Sequence, residues 1–300
     1  MEAPRIYDRR TGEIVVEKVL GDGLMRLAYR PIMRPISEWL LFRNYLISRL
    51  LGAYADSRLS RGRIEGTIAS LGLDVSEFRD PVDSFHCFND FFIRHLRPEA
   101  RPFDASPEVF CSPAECRLML YPALDGGTCV PVKGVSFTVE ALLGEKGRSE
   151  AARFDGGALV VFRLCPIDYH RYHFPADGCV AESWEIDGRL HSVNSMVLSL
   201  GIPVFDRNRR VVTLLDFERF GRVAFVEVGA FGVAGIVNTH EGEPFRKMDE
   251  KGYFKFGGST LVLLFEPGRV QFDDDLIAHS GEGFETLVHV GETLGRVSSP

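Results

Sequence analysis

The 300-residue chain is 45% hydrophobic and 26% charged, with 30 glycines and 16 prolines. That mixture excludes a disordered tail, a collagen-like fibre and a small disulfide-stapled module. A net charge of −7 gives no global basic field of the kind that attracts nucleic acid, so no nucleic-acid partner is expected. No apolar run reaches the roughly 18 residues that a membrane-spanning helix needs. The opening Met1-Glu2-Ala3-Pro4-Arg5 does not read as a secretory signal, and a soluble or peripheral protein made inside the cell is expected. The cysteines (87, 111, 116, 129, 165 and 179) lack C-x-x-C spacing and read as reduced core residues.

In chain order, Arg5 to Leu20 reads as a small hairpin turning at Thr11-Gly12. The next region is basic. Between Leu24 and Arg63 stand eight arginines (26, 30, 34, 43, 49, 58, 61 and 63) against Glu38 and Asp56, a local balance of +6 within an acidic chain. Inside it, Trp39, Leu40, Leu46, Ile47, Leu50, Leu51 and Tyr54 recur at helical intervals and predict an amphipathic helix over Ile36 to Tyr54. Such a helix either packs on its own domain or lies in an anionic membrane interface, where each arginine adds about 1 kcal/mol.

Helical patterns continue over Arg63 to Leu71 and Asp83 to Leu96, the latter with Phe85, Phe88, Phe91, Phe92 and Leu96 on one face. From about residue 110 the pattern changes to strands: 118–121, 158–162, 211–215, 223–228 and 261–265, with a short helix from Val139 to Leu143 capped by Thr138. Asp187-Gly188 predicts a tight hairpin. The fold class is α+β, a helical N-terminal region followed by a β-rich body of mainly antiparallel sheets. The predicted division is a basic, membrane-associating region over 1–105 and a catalytic domain over 106–300.

Chemistry concentrates in three segments. Cys165-Pro166-Ile167-Asp168-Tyr169-His170-Arg171-Tyr172-His173 places two histidines beside an acid after an apolar strand, a pattern suited to proton transfer. Two readings stand beside it: hydrogen-bonded structural histidines, or a metal held by Cys165, His170, His173 and Cys179, whose spacing is poor for zinc. Phe256-Gly257-Gly258-Ser259-Thr260 precedes a strand. It reads as a plain turn, or as a flexible Gly-Ser bond that a serine hydroxyl can attack from within the chain. Ser112-Pro113-Ala114-Glu115-Cys116 alone is a turn bearing an acid.

Together and in this order these segments resemble the phosphatidylserine decarboxylase family. The likeness extends to Phe88-Asn89-Asp90-Phe91-Phe92-Ile93-Arg94, Leu96-Arg97-Pro98, Val132-Lys133-Gly134, Val193-Asn194 and Val228-Gly229-Ala230, and covers about residues 80 to 270. The resemblance implies self-cleavage between Gly258 and Ser259, through serine attack, an ester, β-elimination to dehydroalanine and hydrolysis that releases ammonia. Two chains of 258 and 42 residues result, the second starting with a pyruvoyl group derived from Ser259. That carbonyl takes up the amine of phosphatidylserine as a Schiff base and accepts the electrons as carbon dioxide leaves, with no metal required.

By motif, His173 becomes the base that activates Ser259, His170 the residue assisting decarboxylation or reprotonation, and Glu115 the acid oriented toward the base. Glu115-Cys116 stands where the family has Asp-Gly. An unprocessed, lipid-binding relative is therefore the alternative, and a hydrolase using Ser259, His173 and Glu115 a third reading. The resemblance also favours peripheral attachment to the cytoplasmic side of the cell membrane, with Arg30, Arg34, Arg43 and Arg49 as head-group contacts, and is compatible with a homodimer.

Overall fold

The sheet that dominates the molecule is built from apolar runs with little polar alternation, which need cover on both faces. The computed structural model describes residues 5–16, 45–124, 129–132, 135–191, 204–230, 235–242, 244–257 and 259–298. Strands β1 (Arg5–Asp8) and β2 (Glu13–Val16) form the predicted hairpin over those residues. Helices α1 (Tyr45–Ala55), α2 (Ile64–Leu71) and α3 (Phe88–Phe92) follow. Next come β3 (Val109–Cys111), β4 (Cys116–Tyr121), β5 (Cys129–Val132), β6 (Val135–Thr138) and helix α4 (Val139–Leu143).

The body continues with β7 (Leu159–Leu164), β8 (Arg171–His173), β9 (Gly178–Ile186), β10 (Arg210–Phe217), β11 (Gly221–Gly229) and β12 (Ile236–Asn238). It ends with β13 (Glu250–Phe254), β14 (Ser259–Phe265), β15 (Val270–Phe272), helix α5 (Asp274–Gly281), β16 (Glu285–Val288) and β17 (Thr293–Val297). This is the expected α+β arrangement.

Nine strands pair in the order β2-β1-β16-β4-β7-β14-β11-β10-β9. The pairings are antiparallel except β1 with β16. Along β14 the side chains alternate between two cores. Val262 and Leu264 enter one, closed by Leu142, Leu143 and Phe154. Leu261 and Leu263 enter the other, closed by Phe110 and by Tyr172, Phe174 and Phe254. The second cover includes a small sheet, β12-β13-β8. A third cluster, Ile64, Phe78, Phe85, Phe88, Phe91 and Phe92, ties the N-terminal helices to Phe256.

Two expectations are corrected. The helix predicted over Asp83 to Leu96 spans only Phe88–Phe92. Residues 95–97 pair instead with 77–79, through Arg79 N to His95 O and Arg97 N to Glu77 O, so long-range pairing overrides local periodicity. Asp187-Gly188 makes no tight hairpin, because β9 takes β10 as partner. Gly188 lies against the backbone of Arg207, whose carbonyl would stand 2.4 Å from an added Cβ, so it permits close approach rather than a two-residue turn. Helix α4 starts as expected, Thr138 Oγ1 accepting from Ala141 N at 3.0 Å. Cys87, Cys111, Cys116 and Cys179 are free thiols.

The predicted amphipathic helix is described from Tyr45 onward, and its polarity is inverted. Ser48 and Ala55 face inward, while Leu50, Leu51 and Tyr54 are 62%, 39% and 40% exposed.

Two glycines test the packing. A Cβ on Gly157 would meet the Phe265 carbonyl at 1.8 Å, whereas Gly66 in α2 has nothing within 4 Å. Gly157→Ala is expected to cost roughly 1–3 kcal/mol in urea unfolding. Gly66→Ala is expected to add about 0.5–1 kcal/mol.

Candidate active site

Ser259 is the first residue of β14, paired with Leu164 on one side and Gly229 on the other. It is buried, and its Oγ has no hydrogen-bond partner among the described residues. The residue two before it, Gly257, has φ 149°, a conformation that glycine adopts and side-chain-bearing residues avoid. Gly258 itself lies outside the described residues.

The same pairing brings in the histidines. Leu164, opposite Ser259, leads directly into the 165–173 segment, and β8 pairs with β13, the strand that runs up to Ser259. Phe254 N donates to His170 O at 2.9 Å. The His170 ring lies on Phe92 at 3.9 Å, and Phe92 meets Phe256 edge-on at 5.3 Å. The His170 Nδ1 hydrogen is directed to Asp168 O at 2.9 Å, which leaves the Nε2 lone pair free, buried and unpartnered. His173 stacks on Tyr169, and its Nδ1 is likewise buried without a partner. Burial holds His170 down to about 3 and His173 down to about 4, so both are neutral.

Below the histidines runs a charged layer that sequence reading did not anticipate. Arg117 of β4 pairs with both oxygens of Asp168, and Cys165 N donates to Asp168 Oδ2 at 2.6 Å, closing the turn before His170. Burial raises Asp168 to about 6 despite Arg117. Nothing in an apolar strand of sequence Cys-Arg-Leu-Met-Leu marks that arginine as the partner of an acid 51 residues later.

Glu115 accepts from Arg101 at 2.7 Å, and His289 Nδ1 lies 3.2 Å from the same oxygen. Burial opposes its charge, yet His289 and Arg101 together hold it down to about 2. It borders a cavity of about 190 Å³ also lined by Glu77, Arg94, Arg117 and Asp168. Its partners are thus Arg101 and His289 rather than His173. The connection to His173 runs through the backbone of the preceding turn, where Pro113 O accepts from His173 N at 2.9 Å.

The four residues of the metal reading do not gather. Among the described residues, no group of three or more His, Cys, Asp or Glu side chains could hold a metal ion. Of the candidate membrane arginines, Arg49 is exposed on α1, while Arg30, Arg34 and Arg43 lie outside the described residues.

The family model for phosphatidylserine decarboxylase matches residues 88–296, a span that holds every element of this site. The chain belongs to the phosphatidylserine decarboxylase family. A phosphatidylserine decarboxylase proenzyme of Ruminiclostridium cellulolyticum is 38% identical over 97% of both chains. One from Clostridium perfringens is 38% identical over 97% of this chain and 99% of its own. Phosphatidylserine decarboxylase proenzyme 3 of Schizosaccharomyces pombe is 40% identical over 98% of this chain, which corresponds to 31% of that longer protein.

The neutral state of His173 has a thermodynamic signature. An imidazole that titrates near 6.5 when unfolded and near 4 when folded stabilises the fold in full above pH 6.5. That contribution is lost as pH falls toward 4. His173→Asn is expected to flatten the loss of unfolding free energy between about pH 6.5 and pH 5 by about 1 kcal/mol per pH unit. Urea titrations at several pH values check this, and an unchanged slope would contradict a neutral, buried His173.

Proposed function

We propose that this chain cleaves itself before Ser259 and then converts phosphatidylserine to phosphatidylethanolamine and carbon dioxide. The observation that carries the reading is a buried serine hydroxyl without a partner among the described residues, on a strand whose neighbour leads from Leu164 into the segment of two neutral histidines, in a chain of this family. Buried polar atoms left unsatisfied in a native fold call for an explanation, and chemistry is one.

His173 takes the Ser259 hydroxyl proton, which makes the oxygen nucleophilic toward the Gly258 carbonyl. Gly257 supplies the backbone freedom for that approach. Glu115 acts at a distance. Its hydrogen bonds to Arg101 and its contact with His289 fix the 112–115 turn, and that turn holds the His173 backbone. A longer acid than aspartate is tolerated on this reading because it reaches those two partners rather than the imidazole.

The surroundings of Ser259 fit a pyruvoyl group formed from it: the residue is enclosed, heads a fully buried strand and has no competing hydrogen bond at Oγ among the described residues. Such a group supplies the electron sink that removal of an amino-acid carboxylate requires and that standard side chains lack. His170, neutral and walled by Phe92, presents its free Nε2 for a proton at the reacting carbon.

Access to a lipid is supported by α1 and the turn after it. Leu50, Leu51, Tyr54 and Leu59 (83% exposed) form an apolar surface flanked by the exposed Arg49, Arg58, Arg61 and Arg63. No helix among the described residues is long and apolar enough to cross a membrane. This surface suits peripheral attachment to an anionic leaflet, with apolar side chains inserted and arginines at the head groups.

Carbon dioxide release from phosphatidylserine vesicles is expected from the purified protein and abolished in Ser259→Ala. Release that persists in the variant would overturn the assignment. Separately, Leu50→Glu with Leu59→Glu is expected to weaken co-sedimentation with anionic vesicles by at least roughly tenfold. Unchanged binding would place the membrane surface elsewhere.

A further inference from the structure

A buried ion pair on the Ser259 face of the sheet has no part in the chemistry above. Glu227 of β11 is fully buried and the Lys251 side chain, on β13, is 4% exposed. The Lys251 ammonium donates to Glu227 Oε1, to Thr213 Oγ1 at 3.1 Å and to Asn238 Oδ1 at 3.0 Å. The rings of Phe225 and Tyr172 close the remaining sides at 5.1 and 5.9 Å. Tyr172 also donates its hydroxyl to Asn238 Oδ1 at 3.2 Å.

The register makes this location informative. Glu227 pairs with Leu261 and Gly229 pairs with Ser259, so Glu227 and Ser259 project from the same face of adjacent strands. Lys251 stands on the strand that leads to Ser259, and Tyr172 lies between His170 and His173 in sequence. The cage therefore spans the two layers that must meet: the sheet carrying the nucleophile and the small sheet carrying the histidines. Apolar contacts between such layers tolerate sliding, whereas charge-assisted hydrogen bonds to three oxygens fix one register. A buried pair of this kind adds little net stability over well-packed apolar side chains of the same volume. Its retention fits a demand for placement.

We infer that Glu227 and Lys251 are positioning residues which hold the Ser259 strand at working distance from the histidine strand and so set the rate of self-cleavage. The inference rests on the proposal that Ser259 is the cleavage residue.

The test follows cleavage of freshly synthesised full-length chain by denaturing electrophoresis, with Tm measured on the same protein. In the double variant Glu227→Leu, Lys251→Met, positioning predicts cleavage slowed by roughly tenfold to a hundredfold. Tm is expected to stay within about 3 °C of wild type. A folded double variant that cleaves at the wild-type rate would overturn the inference. So would a loss of Tm with cleavage slowed only in proportion to the unfolded fraction. If the double variant does not fold, Thr213→Val decides: slower cleavage at unchanged Tm supports positioning, and the wild-type rate overturns it. Ser259→Ala is run alongside. A band at the same position in that variant, or none in wild type, would remove the Ser259 reading and the inference with it.

Discussion

Pairing of β14 between β7 and β11 is the constraint on which the rest of the site depends. It puts Ser259 at the edge of a fully buried strand, where the hydroxyl is shielded from water and the backbone cannot wander. On the proposed reading this serine is a nucleophile that needs a base. The fold runs β7 straight into the histidine segment and folds β13 back along β8. Strand order, rather than sequence proximity, makes the site.

Burial then sets the protonation states. Two imidazoles enclosed by Phe92, Tyr169 and their own backbone remain neutral at physiological pH, the state that the proposed base requires. The ion pairs around them are Arg117 with Asp168, Arg101 with Glu115 and Arg171 with Glu250. These pairs brace the turns from which the histidines project. Charged contacts also link the chain on either side of Ser259. His289 meets Glu115, Glu285 meets Arg163 at 2.6 Å, and Arg9 binds Asp273 and Asp275. Breaking one peptide bond before Ser259 would leave β14 and β16 locked inside the sheet.

The central strands β4, β7, β10, β11 and β14 were legible in sequence because each is an apolar run bounded by turn residues, whereas short strands such as β3, β8 and β12 carry no such run. The helix over Asp83 to Leu96 was not, since its phenylalanines share a core without sharing a long helix. The inverted face of α1 was also hidden. Periodicity identifies an apolar stripe but cannot say whether a protein or a membrane covers it. At the site, Ser259, His170 and His173 were visible because their residue types and order carry the family resemblance. Glu115 was visible as an acid, but not its partners Arg101 and His289, which lie 14 residues before it and far down the chain. The Arg117 with Asp168 and Glu227 with Lys251 pairs left no local signal, because each joins segments that only the finished fold brings together.

All of this treats Ser259 as a bond-breaking residue in a chain that becomes two. The intact mass of the purified protein under denaturing conditions tests that most directly. Two species are predicted, of 258 and 42 residues, the smaller carrying a carbonyl in place of its N-terminal amine. A single uncleaved species of 33.6 kDa would contradict it.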